Sequence, residues 1–159
     1  MSNALSAQAA PLSQHLALIG CGLMGGSFAL ALRAACPGVV ISGYSRSLHS
    51  SQRAQALGIV DEVCTSAAQA VQQADLVLVA VPVAATEATF KAIRHGITPD
   101  MLVMDVGSTK RDVVEAARRS LGAQGVAFVP CHPIAGKESA GVDHADANLY
   151  RGRQVIITP

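Results

Sequence analysis

The sequence is poor in aromatic residues and in charge, and both shortages narrow the classes of protein to which it can belong. Its 159 residues include no tryptophan, two tyrosines and three phenylalanines, and only 14% are charged. Half of the residues are hydrophobic, so a buried core must consist mainly of Val, Leu, Ile and Ala, as in parallel strands covered by helices. A chain this apolar is not expected to be disordered, and its length suits one domain.

Strong net charge, paired cysteines and long apolar runs are also missing. Twelve Lys and Arg against eleven Asp and Glu give a formal net charge of +1, so we expect neither nucleic acid nor an anionic membrane as a partner. The four cysteines form no CxxC pair, which argues against a metal or redox site and favours reduced thiols in a cytoplasmic protein. No apolar run approaches the ~20 residues of a membrane-spanning helix.

The chain divides into a short tail and one domain. Residues 1–14 are rich in Ala, Ser and Gln and lack the features of a signal peptide, so we predict a flexible N-terminal tail. Residues 15–159 alternate short apolar runs with segments of helical spacing. The patterns predict strands at 15–19, 39–44, 76–81, 101–106, 126–129 and 154–158, and helices at 23–35, 50–57, 66–73, 84–95 and 110–121. This alternation predicts a doubly wound, Rossmann-like α/β fold, with a mostly parallel sheet and helices on both faces.

A GxGxxG motif lies directly between the first predicted strand and the first predicted helix. Gly20 allows the tight turn, Gly22 lets backbone N–H groups approach a pyrophosphate, and Gly25 lets the helix pack closely on the strand. The first helical turn, with Leu23 and Met24, adds partial positive charge and free N–H donors. We therefore predict a dinucleotide-binding turn here; the alternative is a glycine-rich turn without a ligand.

The end of the second predicted strand carries no acidic residue, although NAD-preferring folds usually place Asp or Glu there to bind the ribose hydroxyls. Ser45, Arg46 and Ser47 occupy this position instead. The serines can donate hydrogen bonds to a 2′-phosphate, and Arg46 can pair with it and stack on the adenine. The pattern favours NADP over NAD; the alternative is that Arg46 is a solvated loop charge.

Two further strand ends are expected at the same edge of the sheet. Val81 and Pro82 end one apolar run where a cofactor would cross the sheet. Gly107 and Ser108 follow the next, and Ser108 either caps the following helix or directs its hydroxyl toward nicotinamide and substrate. Lys110 falls in the first turn of that helix, where the helix dipole disfavours a cation, so it hints at an anionic neighbour.

The most distinctive segment, CHPIAGKESAGV at 131–142, follows the predicted strand at 126–129. It contains His132, followed by Pro133 and a turn of small residues, at the sheet edge where ligands bind in such folds. A histidine held there is well placed as a general base. The alternative is a structural or solvated histidine, but the position beside the predicted cofactor crevice favours the base.

Together these segments resemble the prephenate and arogenate dehydrogenases of tyrosine biosynthesis. The resemblance extends from residue 15 to the end of the chain, and its motifs are GCGLMGGS at 20–27, DVGSTK at 105–110, HPIAGKESAGV at 132–142 and NLYRG at 148–152 leading into VIITP at 155–159. The glycine motif is shared by many dehydrogenases, whereas the HPIAG segment followed by the Leu-Tyr turn is far more specific.

The resemblance implies an oxidative decarboxylation, in which hydride passes from a cyclohexadienyl ring to NAD(P) and carbon dioxide leaves. In that family the histidine matching His132 helps remove the proton of the ring hydroxyl. The serine matching Ser108 contacts that hydroxyl and orients the histidine and the nicotinamide. The acid matching Glu138 lies at the mouth of the pocket, where it helps gate or polarise the site. Prephenate and arogenate both remain possible substrates.

Members of that family continue into a helical domain that pairs two subunits and binds the substrate carboxylates. The resemblance therefore implies that this homodimerisation and substrate domain is absent from the 159 residues, which we expect to bind cofactor with little turnover. Two alternative functions remain: a β-hydroxyacid dehydrogenase, whose glycine loop also tends to carry a methionine near Met24, and a non-catalytic NADP-binding regulatory module. The first does not explain HPIAG.

Overall fold

The apolar runs form the strands of one parallel sheet. The computed structural model describes residues 10–158, and in this part of the chain six strands pair in parallel in the order β3-β2-β1-β4-β5-β6. They are β1 (His15–Ile19), β2 (Val40–Tyr44), β3 (Glu62–Val63), β4 (Leu76–Val79), β5 (Leu102–Asp105) and β6 (Phe128–Val129). The chain winds outward in both directions from the β1–β4 pair, so the carboxyl ends of these strands border the crevice where such sheets bind ligands. The predicted doubly wound fold is confirmed.

Helices cover both faces of the sheet. Over residues 10–158 the α-helices are α1 (Leu23–Ala35), α2 (Leu48–Ala56), α3 (Ala67–Val71), α4 (Val83–Ile93) and α5 (Lys110–Leu121). One face of the sheet packs against α1 and α2, and the other packs against α3, α4 and α5. Because β4 is buried on both faces, all four of its residues are apolar and its sequence does not alternate.

Several elements differ from the pattern predicted by the sequence, among them β3, which corresponds to none of the predicted strands. Residues 122–127 form a 3₁₀ helix, so the predicted strand at 126–129 is reduced to the two residues of β6, and Val126 is 80% exposed. The run at 154–158 does not join the main sheet. Its strand, β8 (Val155–Ile157), pairs antiparallel with β7 (Cys131–Pro133) in a separate two-stranded sheet. His132 therefore lies on a short strand rather than in a loop.

The N-terminal end of β1 is held by the carboxylate of Asp75, which directly precedes the neighbouring strand β4. Asp75 accepts hydrogen bonds from the hydroxyl of Ser13 at 2.5 Å and from the backbone N–H of Gln14 at 2.7 Å. These contacts hold residues 13 and 14, at the end of the predicted tail, against the sheet. The first nine residues of that tail lie outside the described residues. No helix within residues 10–158 has the length and apolar character needed to cross a membrane.

Candidate nucleotide-binding and active site

The strand ends singled out in the sequence meet at the carboxyl edge of the sheet. A methyl group placed on Gly20, after β1, would overlap the carbonyl of Ala80, after β4. One placed on Gly107, after β5, would lie 3.6 Å from a methyl group of Val83 in α4. β5 in turn contacts β7, which carries His132. The residues that follow β1, β4 and β5 are thus close neighbours at this edge, and β7 contacts β5.

The glycine turn has the form that a dinucleotide requires. Gly20 adopts φ +100°, a left-handed conformation that disfavours side chains. A Cβ on Gly25 would overlap the carbonyl oxygen of Gly20 and lie 2.9 Å from Leu18, so the helix can approach β1 only with glycine here. A Cβ on Gly22 would meet no atom within 4 Å. The turn is therefore closed toward the protein and open at Gly22.

The N-terminus of α1 leaves its donors available to an anion. Gly22 is the N-cap residue, no side chain caps the helix, and the first turn contains no acidic residue. Leu23 and Met24 begin this turn, and their N–H groups have no carbonyl partner one turn earlier. Free donors, the helix dipole and the open space at Gly22 together fit a pyrophosphate.

The serines after β2 have structural contacts that the sequence did not predict. The Ser45 hydroxyl oxygen accepts a hydrogen bond from the N–H of Cys21 at 2.7 Å, which links the end of β2 to the glycine turn. Ser47 caps α2 by accepting a bond from the N–H of Ser50 at 3.4 Å. Arg46 between them is exposed. Ser45 thus shapes the turn.

The residues after β4 and β5 differ in their surroundings. Val81 packs against the buried core, and Pro82 is the N-cap residue of α4 with φ −53°. The N-cap residue of α5 is Thr109, and no side chain there accepts a capping hydrogen bond. The capping alternative for Ser108 is therefore wrong. Ser108 is exposed at the carboxyl edge of the sheet, one residue after Gly107.

A buried ion pair at the end of β5 belongs to the candidate site, and the sequence motifs did not predict it. Asp105 is 2% exposed, and its carboxylate accepts bonds from Lys110, from the N–H of Gly107 at 2.9 Å and from the N–H of Cys131 at 2.9 Å. Lys110 also donates to the carbonyl oxygen of Cys131 at 2.6 Å. Asp105 is thus the anionic neighbour that the position of Lys110 predicted. The pair holds both polar backbone groups of the residue that precedes His132.

His132 is half-buried on β7, between two buried neighbours. In the β7–β8 register it lies opposite Ile156. Burial is the largest cause that raises the pKa of the adjacent Cys131 thiol, with Asp105 adding to the effect, so Cys131 is not an activated nucleophile. Glu138 is exposed on the segment after β7, outside the hydrogen-bonded group formed by Asp105, Lys110 and Cys131.

The fold and the glycine turn define a nucleotide-binding domain of the doubly wound α/β class. The family model described as "Prephenate dehydrogenase, nucleotide-binding domain" matches residues 28–159. The chain belongs to this family, which confirms the resemblance found in the sequence. The matched range begins after the glycine motif, so the family assignment and the motif are separate observations.

Individual relatives agree with the family model. The chain is 39% identical over 146 residues to the cyclohexadienyl dehydrogenase of Zymomonas mobilis, covering 92% of this chain and 49% of the relative. It is 37% identical to the prephenate dehydrogenase of Bacillus subtilis, covering 93% of this chain and 40% of the relative. The crystal structure of Aquifex aeolicus prephenate dehydrogenase in complex with hydroxyphenyl propionate and NAD+ superposes with a TM-score of 0.83 at 38% identity, covering 92% of this chain and 50% of that one. The chain thus spans half or less of the length of these relatives.

Proposed function

We propose that this chain is the NAD(P)-binding part of a dehydrogenase that oxidatively decarboxylates prephenate or arogenate. The observation that carries the proposal is that two features lie at the same carboxyl edge of the sheet. One is the open glycine turn at the N-terminus of α1, and the other is His132, held through Cys131 by Asp105 and Lys110. The names of the relatives, which include prephenate and cyclohexadienyl dehydrogenases, support the choice of substrate class.

The proposed roles are those that the resemblance to the family implies. His132 accepts the proton of the substrate's ring hydroxyl, Ser108 contacts that hydroxyl and orients it, and Glu138 acts at the mouth of the pocket. A bound nicotinamide supplies the hydride acceptor. The ring loses hydride from its hydroxyl-bearing carbon. The electron pair left by departing carbon dioxide then enters the ring, which becomes aromatic as its oxygen regains the proton from His132.

The relatives extend well beyond the segment that matches this chain. Its relatives are at least twice as long as the matched segment. We propose that this additional length binds the substrate carboxylates and pairs two subunits. We therefore expect the 159-residue chain to bind NAD(P) but to turn over prephenate or arogenate at least ~100-fold more slowly than a full-length protein carrying it, because orientation of the substrate is lost.

Cofactor titration and a reduction assay on both proteins test this function. The assay follows reduced nicotinamide with prephenate, with arogenate and, as a control substrate, with 3-hydroxyisobutyrate. Turnover by the 159-residue chain at a rate comparable to the longer protein contradicts the division of labour. Turnover of 3-hydroxyisobutyrate alone supports a β-hydroxyacid dehydrogenase, and binding without turnover in the full-length protein supports a regulatory module.

We propose NADP as the preferred cofactor, because no acid follows β2 and the exposed Arg46 is available to a 2′-phosphate. Arg46→Ala is expected to weaken NADP binding about tenfold through the loss of a charge-assisted hydrogen bond, and NAD binding less than about twofold. Calorimetric titration of both cofactors measures the two changes. Arg94→Ala is the matched control, since Arg94 is also exposed but follows the C-terminus of α4, at the opposite edge of the sheet. Equal weakening of both cofactors by Arg46→Ala contradicts the 2′-phosphate contact.

A further inference from the structure

The chain that leaves β7 after His132 turns back and binds to the cofactor helix α1. We call residues 142–150 the return segment. The hydroxyl of Tyr150 donates a hydrogen bond to the backbone carbonyl of Met24 at 2.7 Å, and its ring lies edge-on to Phe28 with centroids 6.2 Å apart. The N–H of Asp146 donates to the hydroxyl oxygen of Ser27 at 2.9 Å. Two hydrogen bonds and one aromatic contact therefore attach the return segment to the first two turns of α1.

The glycine that follows the dinucleotide motif makes this contact possible. A Cβ on Gly26 would lie 3.0 Å from the side chain of Ala145 and 3.4 Å from that of Val142, which is itself buried. Both distances are at or below ordinary van der Waals contact, so any larger side chain would push the return segment away. Gly25 admits the close approach of β1, whereas Gly26 admits that of the return segment. The GxGxxG pattern alone accounts for the first of these glycines only.

Tyr150 acts on the turn that supplies the donors of the proposed cofactor site. Met24 lies in the first turn of α1, and its carbonyl oxygen takes the bond from a residue 126 positions later in the sequence. Burial raises the pKa of the Tyr150 hydroxyl well above its ordinary value, so the hydroxyl remains protonated and able to donate at any working pH. Five residues after Tyr150 the chain enters β8, where Ile156 pairs with His132.

We propose that Tyr150 is a positioning residue, which fixes the phosphate-binding turn of α1 relative to the strand that carries His132. The inference rests on the proposed function, since it assigns the residue to the geometry of that site. The Tyr150 hydroxyl orients a turn that would bind the pyrophosphate of NAD and of NADP alike. Loss of that hydroxyl must therefore affect both cofactors equally, unlike loss of Arg46.

Tyr150→Phe tests this inference, because it keeps the ring and its contact with Phe28 and removes only the hydroxyl. Two quantities are measured well below the unfolding midpoint: the dissociation constants of NAD and NADP, and the hydrogen exchange of the Gly26 amide, which bonds to the Gly22 carbonyl at 2.9 Å. We expect both dissociation constants to rise about fivefold and by the same factor, and the Gly26 amide to exchange about fivefold faster than in the unsubstituted chain.

Ser120→Ala is the matched control for removal of a buried hydroxyl. Ser120 is 2% exposed on α5, and its hydroxyl oxygen has no hydrogen-bond partner within the described residues. This variant is expected to leave both dissociation constants and the exchange of Gly26 unchanged.

The outcomes separate a positioning role from a purely structural one. A lower unfolding midpoint in Tyr150→Phe with unchanged cofactor affinities overturns the inference, because a hydroxyl that only stabilises the fold does not alter binding by the folded protein. Weakening of NADP alone overturns it as well. If the unsubstituted chain binds neither cofactor, the proposed function fails and the inference fails with it; if only the Tyr150→Phe comparison fails, the proposed function stands.

Discussion

Replacing His132 with asparagine is expected to lower kcat of the proposed full-length dehydrogenase by about 10²- to 10⁴-fold, the usual contribution of a general base. Asparagine retains a hydrogen-bonding group of similar size but accepts no proton at neutral pH. His132 lies on β7, whereas the proposed cofactor donors lie at the start of α1, so the dissociation constant of NAD(P) is expected to change less than about twofold. Steady-state assays and cofactor titration of the same variant measure the two effects.

His95→Asn provides the control for this substitution. His95 is exposed and follows α4 at its C-terminal end, hence at the edge of the sheet opposite His132. It is expected to leave kcat and cofactor affinity unchanged. If His132→Asn weakened cofactor binding strongly and left kcat near its original value, His132 would be a structural residue and another group would have to accept the proton.

The sequence predicted those parts of the fold that depend on local pattern. The continuous apolar runs of β1 and β4 correspond to strands buried on both faces, and the bounds of α1 and α5 were predicted to the residue. These elements are long enough for periodicity to appear, and the GxGxxG motif marks the boundary between a strand and a helix.

Elements formed by distant pairing carried no such pattern. β3 has two residues, one of them the exposed Glu62, and forms because the edge of β2 offers free hydrogen-bonding groups. β7 and β8 pair across more than 20 residues, so the apolar run at 154–158 does not indicate which sheet it joins. In both cases tertiary hydrogen bonding decides a structure that the local sequence leaves open.

In the candidate site, too, the sequence predicted the local features but not the contacts between distant residues. The positive φ of Gly20 and the closeness of Gly25 to β1 followed from motif spacing. The bond from the N–H of Cys21 to Ser45, the bond from the N–H of Cys131 to Asp105 and the bond from Lys110 to the carbonyl of Cys131 join residues 21 to 26 positions apart in sequence. Lys110 alone gave a signal, because a cation in the first turn of a helix needs a compensating anion.

The buried pair itself leads to the largest expected change in stability. Asp105→Ala is expected to lower the free energy of unfolding by about 3–5 kcal/mol, since it leaves Lys110, which is only 13% exposed, without its counter-charge. It also leaves the N–H groups of Gly107 and Cys131 without an acceptor. Chemical denaturation followed by circular dichroism measures the change. Arg111→Gln is the control, because it removes an ion pair of the same helix whose arginine is 88% exposed, and it is expected to cost less than about 1 kcal/mol.

A double variant distinguishes the loss of an ion pair from the burial of an unpaired charge. Asp105→Ala combined with Lys110→Met removes both charges, so the double variant is expected to be more stable than Asp105→Ala alone. Its remaining deficit reports the unsatisfied N–H groups of Gly107 and Cys131 and the carbonyl oxygen of Cys131 that loses its bond from Lys110. If the double variant were as unstable as the sum of the two single variants, the charges would not interact, and the anchoring of Cys131 would have to come from packing. Because Cys131 directly precedes His132, the double variant of the proposed full-length enzyme is also expected to lose activity while it remains folded.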